Sequence, residues 1–419
     1  MYLSLKHIQM MPMKKNDHET TGPYRKKILL VQPEFPIPNK RKVHHDFFPI
    51  GLLKIGTYLK RKRQCRVKLV FQNEEVGFQP DEIWITSLFT YWSKYVRESI
   101  EYYKKTYPGA KIFLGGIYAT LMADDIKIPD ITIQKGVYHP AEEYCKNNNI
   151  DESLLSEPLD FQILHSMRGC FRKCEFCGTW KIEPKEEFTA EIHDLINKNH
   201  VIFYDNNILR RPDINDFLIK LSEKKVDDKR VTYESQSGFD GRILDQEIAN
   251  LLKKARFTDV RIAWDGKEGV ESLKKQMEYL HNAGYPKKDI YVFMLFNWNL
   301  TPREMEEKRV KCWELGVQIS DCRYRPLTQL YDNYSTRLDQ TDKDYYIHDG
   351  WTDKEVKAFR RNIRKHNICV RHGLLFYSSE MERMKIDQQK SMQIRSLVDK
   401  DEIRKEVTDA WFPDENHTS

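Results

Sequence analysis

Met167-Arg-Gly-Cys-Phe-Arg-Lys-Cys-Glu-Phe-Cys-Gly-Thr-Trp180 places three of the chain's eight cysteines inside eight residues. Cys170, Cys174 and Cys177 follow a C-x3-C-x2-C spacing. Three thiolates on one short loop can ligate three irons of a 4Fe–4S cube and leave the fourth iron open. An open position on a metal is where a small molecule binds and reacts. Zinc sites instead want four ligands, usually in pairs, which this spacing does not supply. The bland alternative is a thiol cluster with a structural role only.

Outward from this loop, 419 residues leave room for two or three domains, and 40% hydrophobic residues can fill their cores. No apolar run approaches the ~20 residues of a membrane span. Residues 1–24 are polar and mixed, with no secretory pattern, and are expected to be a disordered lead. Cys65, Cys145, Cys312, Cys322 and Cys369 are scattered and form no disulfide framework. A thiol loop of this kind implies a reducing, cytoplasmic setting. The net charge of +6, from 69 basic and 63 acidic residues, permits contact with nucleic acid but does not argue for it.

Upstream, residues 25–150 alternate between strand and helix patterns. Lys27-Ile-Leu-Leu-Val-Gln32 reads as a buried parallel strand. A loop with Pro33, Pro36 and Pro38 follows, then a helical pattern over 49–59 opened by Pro49. Further strands are expected at 67–71, 82–86 and 111–114, with a helix over 91–107. This alternation argues a doubly wound, Rossmann-like parallel sheet, which binds ligands at the carboxyl ends of its strands. Thr86, Ser87, Gly115 and Gly116 sit there, and a glycine pair lets backbone approach a ligand closely.

Downstream, residues 155–334 repeat a strand–helix unit six times. Strands are expected at 161–167, 200–204, 230–236, 260–264, 290–296 and 316–320, and the cysteine loop follows the first. Helices are expected over 214–225, 244–255, 269–283 and 301–315, the last capped by Thr301 with Pro302 in its first turn. Barrel enzymes place their chemistry at that carboxyl end. Polar residues there include Asp205, Gln236 and Arg261, whose guanidinium could pair with a carboxylate. Each has a structural alternative, such as a cap or an ion pair. Residues 335–419 read as a helical extension, with a basic amphipathic helix starting at Thr352.

The cysteine loop resembles that of the radical S-adenosylmethionine (SAM) superfamily, which carries an aromatic before its last cysteine, here Phe176. Residues 25–150 resemble the cobalamin-binding domain of one branch. The likeness rests on the P-x-x-P loop, the P-I-G-L-L-x-I helix, T-S-x-F-T-Y and G-G-x-x-A-T. The D-x-H-x-x-G motif is missing, and Gly136-Val-Tyr-His-Pro-Ala-Glu-Glu143 stands where G-E-G-E is common. His44 and His45 lie near the expected cofactor face and read as surface residues. The resemblance implies an α/β chain: a cobalamin-type sheet domain, a partial (β/α)6 barrel and the extension. It implies that Cys170, Cys174 and Cys177 hold a 4Fe–4S cluster and that Phe176, Asp205, Gln236 and Arg261 contact SAM. Thr86, Ser87, Gly115 and Gly116 would contact cobalamin. The implied activity is reductive cleavage of SAM to a 5′-deoxyadenosyl radical and methyl transfer to an unactivated carbon of a peptide or small molecule. The electron would come from a reductase, ferredoxin or flavodoxin. A cobalamin-independent rearrangement, cyclisation or sulfur insertion is the alternative. An iron–sulfur carrier or sensor is the reading from another class, and it leaves the six-unit chamber unexplained.

Overall fold

The computed structural model describes residues 25–36, 48–266 and 269–373. The lead at 1–24, His44, His45 and the chain beyond 373 lie outside the described residues. β1 (Lys27–Val31), β2 (Arg66–Val70), β3 (Glu82–Ser87), β4 (Lys111–Gly116) and β5 (Ile131–Gln134) form one parallel sheet in the order 2-1-3-4-5. Alternate residues of β1 explain its continuous apolar run. Ile28 and Leu30 pack with Leu52 and Leu53 of α1 (Ile50–Thr57) on one face. Leu29 and Val31 pack with Val96 and Ile100 of α2 (Ser93–Thr106) on the other. Both faces are covered, as a doubly wound sheet requires. α3 (Ile117–Leu121) and α4 (His139–Cys145) complete the layers. β5 was not expected: it is a short edge strand, nowhere fully buried, with little pattern to read. No helix joins β2 to β3.

The second unit has six parallel strands: β6 (Gln162–Leu164), β9 (His200–Phe203), β12 (Thr232–Ser235), β13 (Arg261–Ala263), β14 (Tyr291–Phe296) and β15 (Gln318–Arg323). They form two three-stranded sheets, 6-9-12 and 13-14-15. Two isolated bridges, Tyr233 to Phe257 and Phe239 to Ile262, span the seam. α6 (Ile214–Glu223), α7 (Gln246–Lys254), α8 (Val270–Asn282) and α9 (Pro302–Leu315) follow strands two to five. Thr301 and Glu304 cap α9 reciprocally, as its sequence suggests. α10 (Asp353–His372), the helix of the extension, takes the sixth place on the barrel wall. Its Val356, Phe359 and Ile363 join the barrel core, and Asn367 bonds both Ile319 N (2.8 Å) and Ile319 O (2.7 Å) on β15.

The expectation of six strand–helix units needs one correction. The first strand is followed by no packed helix, only the single turn α5 (Thr179–Ile182) and a 3-10 turn. That stretch of chain is spent on the cysteine loop. The loop closes on the two-residue antiparallel ladder of β7 (Met167–Arg168) and β8 (Glu187–Phe188). A second short hairpin, β10 (Lys225–Val226) with β11 (Lys229–Arg230), precedes β12. Among the described residues no helix is long and apolar enough to cross a membrane.

Candidate active site

The cysteine loop leaves β6 at the carboxyl end of the barrel, and its neck is held at several points. Gly169 has φ +76°, and a Cβ there would lie 2.0 Å from Lys185 O. Only glycine fits where the two arms of the loop pass this closely. The tripeptide after β9 then grips the neck residue by residue. Asp205 accepts from Ser166 N (2.7 Å) and from the Ser166 hydroxyl. Asn206 Oδ1 accepts from Gly169 N (2.9 Å). Asn207 bonds towards the Cys170 sulfur and donates to Asp240 (3.2 Å). Arg211 adds a brace by donating to Ser166 O (2.7 Å) and Thr189 O (3.2 Å).

Asp205 therefore positions the loop; its carboxylate is spent on the chain, not offered to SAM. Full burial pushes its carboxyl up to about 6, against the pull of these donors. Arg261 also departs from the expected role. It is paired with the buried Glu234 at 2.7 Å and donates to Ser235 O, so it meets a protein carboxylate before any ligand's. Gln236 fits better: its Oε1 is buried at the same end of the barrel with no partner, as is Asn207 Oδ1. Buried acceptors of this kind are costly unless something donates to them. Phe176 stands edge-on to Trp298 at 5.2 Å, and Trp298 leads to Tyr324 at 5.9 Å. These three rings cover the loop from the side of strands five and six.

The donor set fits an iron–sulfur cube. Cys170, Cys174 and Cys177 are free, half-buried thiols on one loop. Three thiolates suit a polynuclear group, where each takes its own iron, better than one tetrahedral ion. Burial raises the Cys170 and Cys174 thiols above the ordinary cysteine value, and repulsion from Cys177 adds to it. Loading a metal would therefore release protons.

Of the four residues expected to face cobalamin, one, Ser87, is used up by the fold. The Ser87 hydroxyl donates to Gly115 O (2.8 Å) and accepts from Ala119 N (3.0 Å) inside the sheet. Gly116 has φ +105°, and a Cβ there would lie 2.0 Å from Ser87 O, so strand packing rather than a ligand demands glycine. Thr86, Gly115 and Gly116 line a cavity of about 190 Å3 between the sheet and the neck of the loop. Ordinary ligand pockets run to roughly 300–1,000 Å3, so a corrin fits only if this wall yields. A larger cavity, about 490 Å3, lies beside the free edge of β6, where the buried His165 Nδ1 has no partner.

Between the two cavities runs a buried ion network that sequence reading missed. Lys54 meets Glu142 at 2.7 Å; Arg168, on the neck, meets Glu142 at 2.8 Å and Glu183 at 2.7 Å. Burial alone would raise the Glu142 carboxyl, but Lys54 and Arg168 prevail and hold it down at about 2.

No family model matches the sequence, and no curated protein matches it. Solved structures do. The radical S-adenosylmethionine methyltransferase TsrM from Kitasatospora setae, with cobalamin and a [4Fe-4S] cluster bound, aligns over 73% of this chain and 77% of its own, at 13% identity and a TM-score of 0.53. The same enzyme with tryptophan substrate and the SAM analog aza-SAM aligns over 73% and 75%, at 12% identity and a TM-score of 0.51. At these identities the likeness is one of fold: a parallel α/β sheet domain followed by a partial barrel and a helical carboxyl-terminal part.

Proposed function

We propose that the protein is a radical SAM enzyme that transfers a methyl group to an unactivated carbon. The observation that carries this is the three-thiol loop, braced by Asp205, Asn206 and Asn207 at the carboxyl end of a six-stranded barrel. Cys170, Cys174 and Cys177 would hold the 4Fe–4S cluster. A cluster held there would supply the one electron needed for reductive cleavage of SAM to methionine and a 5′-deoxyadenosyl radical. The protein's own part is binding, orientation and shielding. Gln236 Oε1 and Asn207 Oδ1 offer buried acceptors for the amino or hydroxyl groups of SAM. Phe176 and Trp298 offer ring surface to the adenine. Phe293 and Leu295 of β14, opposite in alternation to the core residues Met294 and Phe296, line the barrel side and limit water. Thr86 and Gly115 would face a corrinoid, which supplies a methyl carrier when bound.

The narrow cavity at Thr86 and Gly115 favours a second reading, radical SAM chemistry without a corrinoid: rearrangement, cyclisation or sulfur insertion. Anaerobic reconstitution separates the two. The methyltransferase reading expects 5′-deoxyadenosine from SAM under reduction, and corrinoid retained after desalting. Nucleoside without retained corrinoid selects the second reading. Cys174→Ala should abolish both iron binding and SAM cleavage; cleavage that survives refutes the ligand assignment.

A further inference from the structure

The cysteine loop has a second aromatic, exposed to solvent. Phe171, next to Cys170, is 45% exposed, one of the exposed large apolar side chains among the described residues. Two guanidinium groups lie against its ring, Arg172 at 4.5 Å and Arg210 at 5.0 Å. Arg172 donates to one oxygen of Asp240 and Arg242 to the other, each at 2.8 Å. Arg242 is also close enough to Cys174 to act on its thiol. Arg210, Phe171, Arg172, Asp240 and Arg242 thus form one continuous row over the thiols, with exposed Lys173 beside it. Glu186 joins the row, paired with Arg210 at 3.5 Å and accepting from Phe171 N. The carboxylates sit deeper than the cations: the side chains of Arg210 and Arg242 are 50% and 51% exposed, those of Glu186 and Asp240 20% and 7%. The outward face is positive around a rigid apolar ring.

We propose that this face docks an acidic one-electron carrier protein of the flavodoxin or ferredoxin class. The inference rests on the assignment of a redox cluster to the loop. Each SAM cleavage consumes one electron, so the reduced carrier leaves oxidised by one electron and no atoms change hands. The electron must arrive from outside, because the inner side of the loop is taken by Phe176 and Trp298. A flat ring costs little side-chain entropy on contact, and a cationic rim steers an anionic partner and sets its on-rate.

The test uses the reconstituted full chain, with 5′-deoxyadenosine release driven by limiting reduced flavodoxin in one arm and by dithionite in the other. Lys173→Glu with Arg210→Glu should lower kcat/KM for flavodoxin about tenfold or more and leave the dithionite rate within about twofold. In the unaltered protein, raising salt should slow the flavodoxin arm alone. Equal flavodoxin rates in variant and parent, or no salt dependence in the parent, overturn the docking face. Loss of the dithionite rate in the parent overturns the cluster assignment instead. If the double variant fails to load iron, Lys173→Gln with the salt series still decides.

Discussion

Gly169→Ala isolates what the neck of the cysteine loop is worth. Alanine at φ +76° costs about 1–2 kcal/mol in backbone strain. Its Cβ would meet Lys185 O at 2.0 Å, so the two arms must part. Parting them forfeits the Gly169 N–H bonds to Asn206 and Glu183, at about 1 kcal/mol each. The sum, about 3–4 kcal/mol, shifts the balance between closed and open necks roughly a hundredfold or more. The assay is anaerobic iron release from reconstituted protein to an excess of chelator. If iron leaves through the open neck, release should quicken by about that factor. Gly350→Ala is the control: it carries the same kind of strain at φ +83° but has nothing within 4 Å of its Cβ. It should lower stability without touching the release rate. Release from Gly169→Ala within twofold of the parent would refute the argument.

The buried charges give further tests. Asp205 has its folded pKa raised to about 6, so the folded chain holds that proton more tightly than the unfolded one; its own contribution to stability is full below about pH 4 and falls by about 3 kcal/mol as pH rises through 6. Asp205→Asn should remove that fall, read as a denaturation midpoint that depends less on pH between 4 and 7. His366 runs the other way: burial lowers its pKa to about 4 while it bonds Val317 O, so stability present above pH 6.5 is lost by about 3 kcal/mol as pH falls to 4. His366→Gln should be less sensitive to acid over that window. Arg261→Met strips the guanidinium from buried Glu234 and should cost about 3–5 kcal/mol, most of it recovered by adding Glu234→Gln; no recovery in denaturant titrations would mean the pair is not the cause.

What could be read in the sequence was whatever repeats or clusters. The β1 run, the six barrel strands and the caps at Thr301 and Thr352 announce themselves by periodicity and residue type. Three thiols in one loop do so by spacing. The misread residues share one cause: a polar side chain at a strand end looks the same in sequence whether it faces a ligand or its own backbone. Asp205 and Ser87 face backbone. The Lys54–Glu142–Arg168–Glu183 network had no signal at all. Its members come from α1, α4, β7 and the loop, and only tertiary folding brings them together.

That network has a mechanical consequence. One carboxylate, Glu142, is clasped by a lysine from the sheet domain and by an arginine at the root of the thiol loop. Prising the halves of the molecule apart would strand ions where little water can reach them. The halves are therefore geared together, and any tug on α4 is felt two residues from the first thiol.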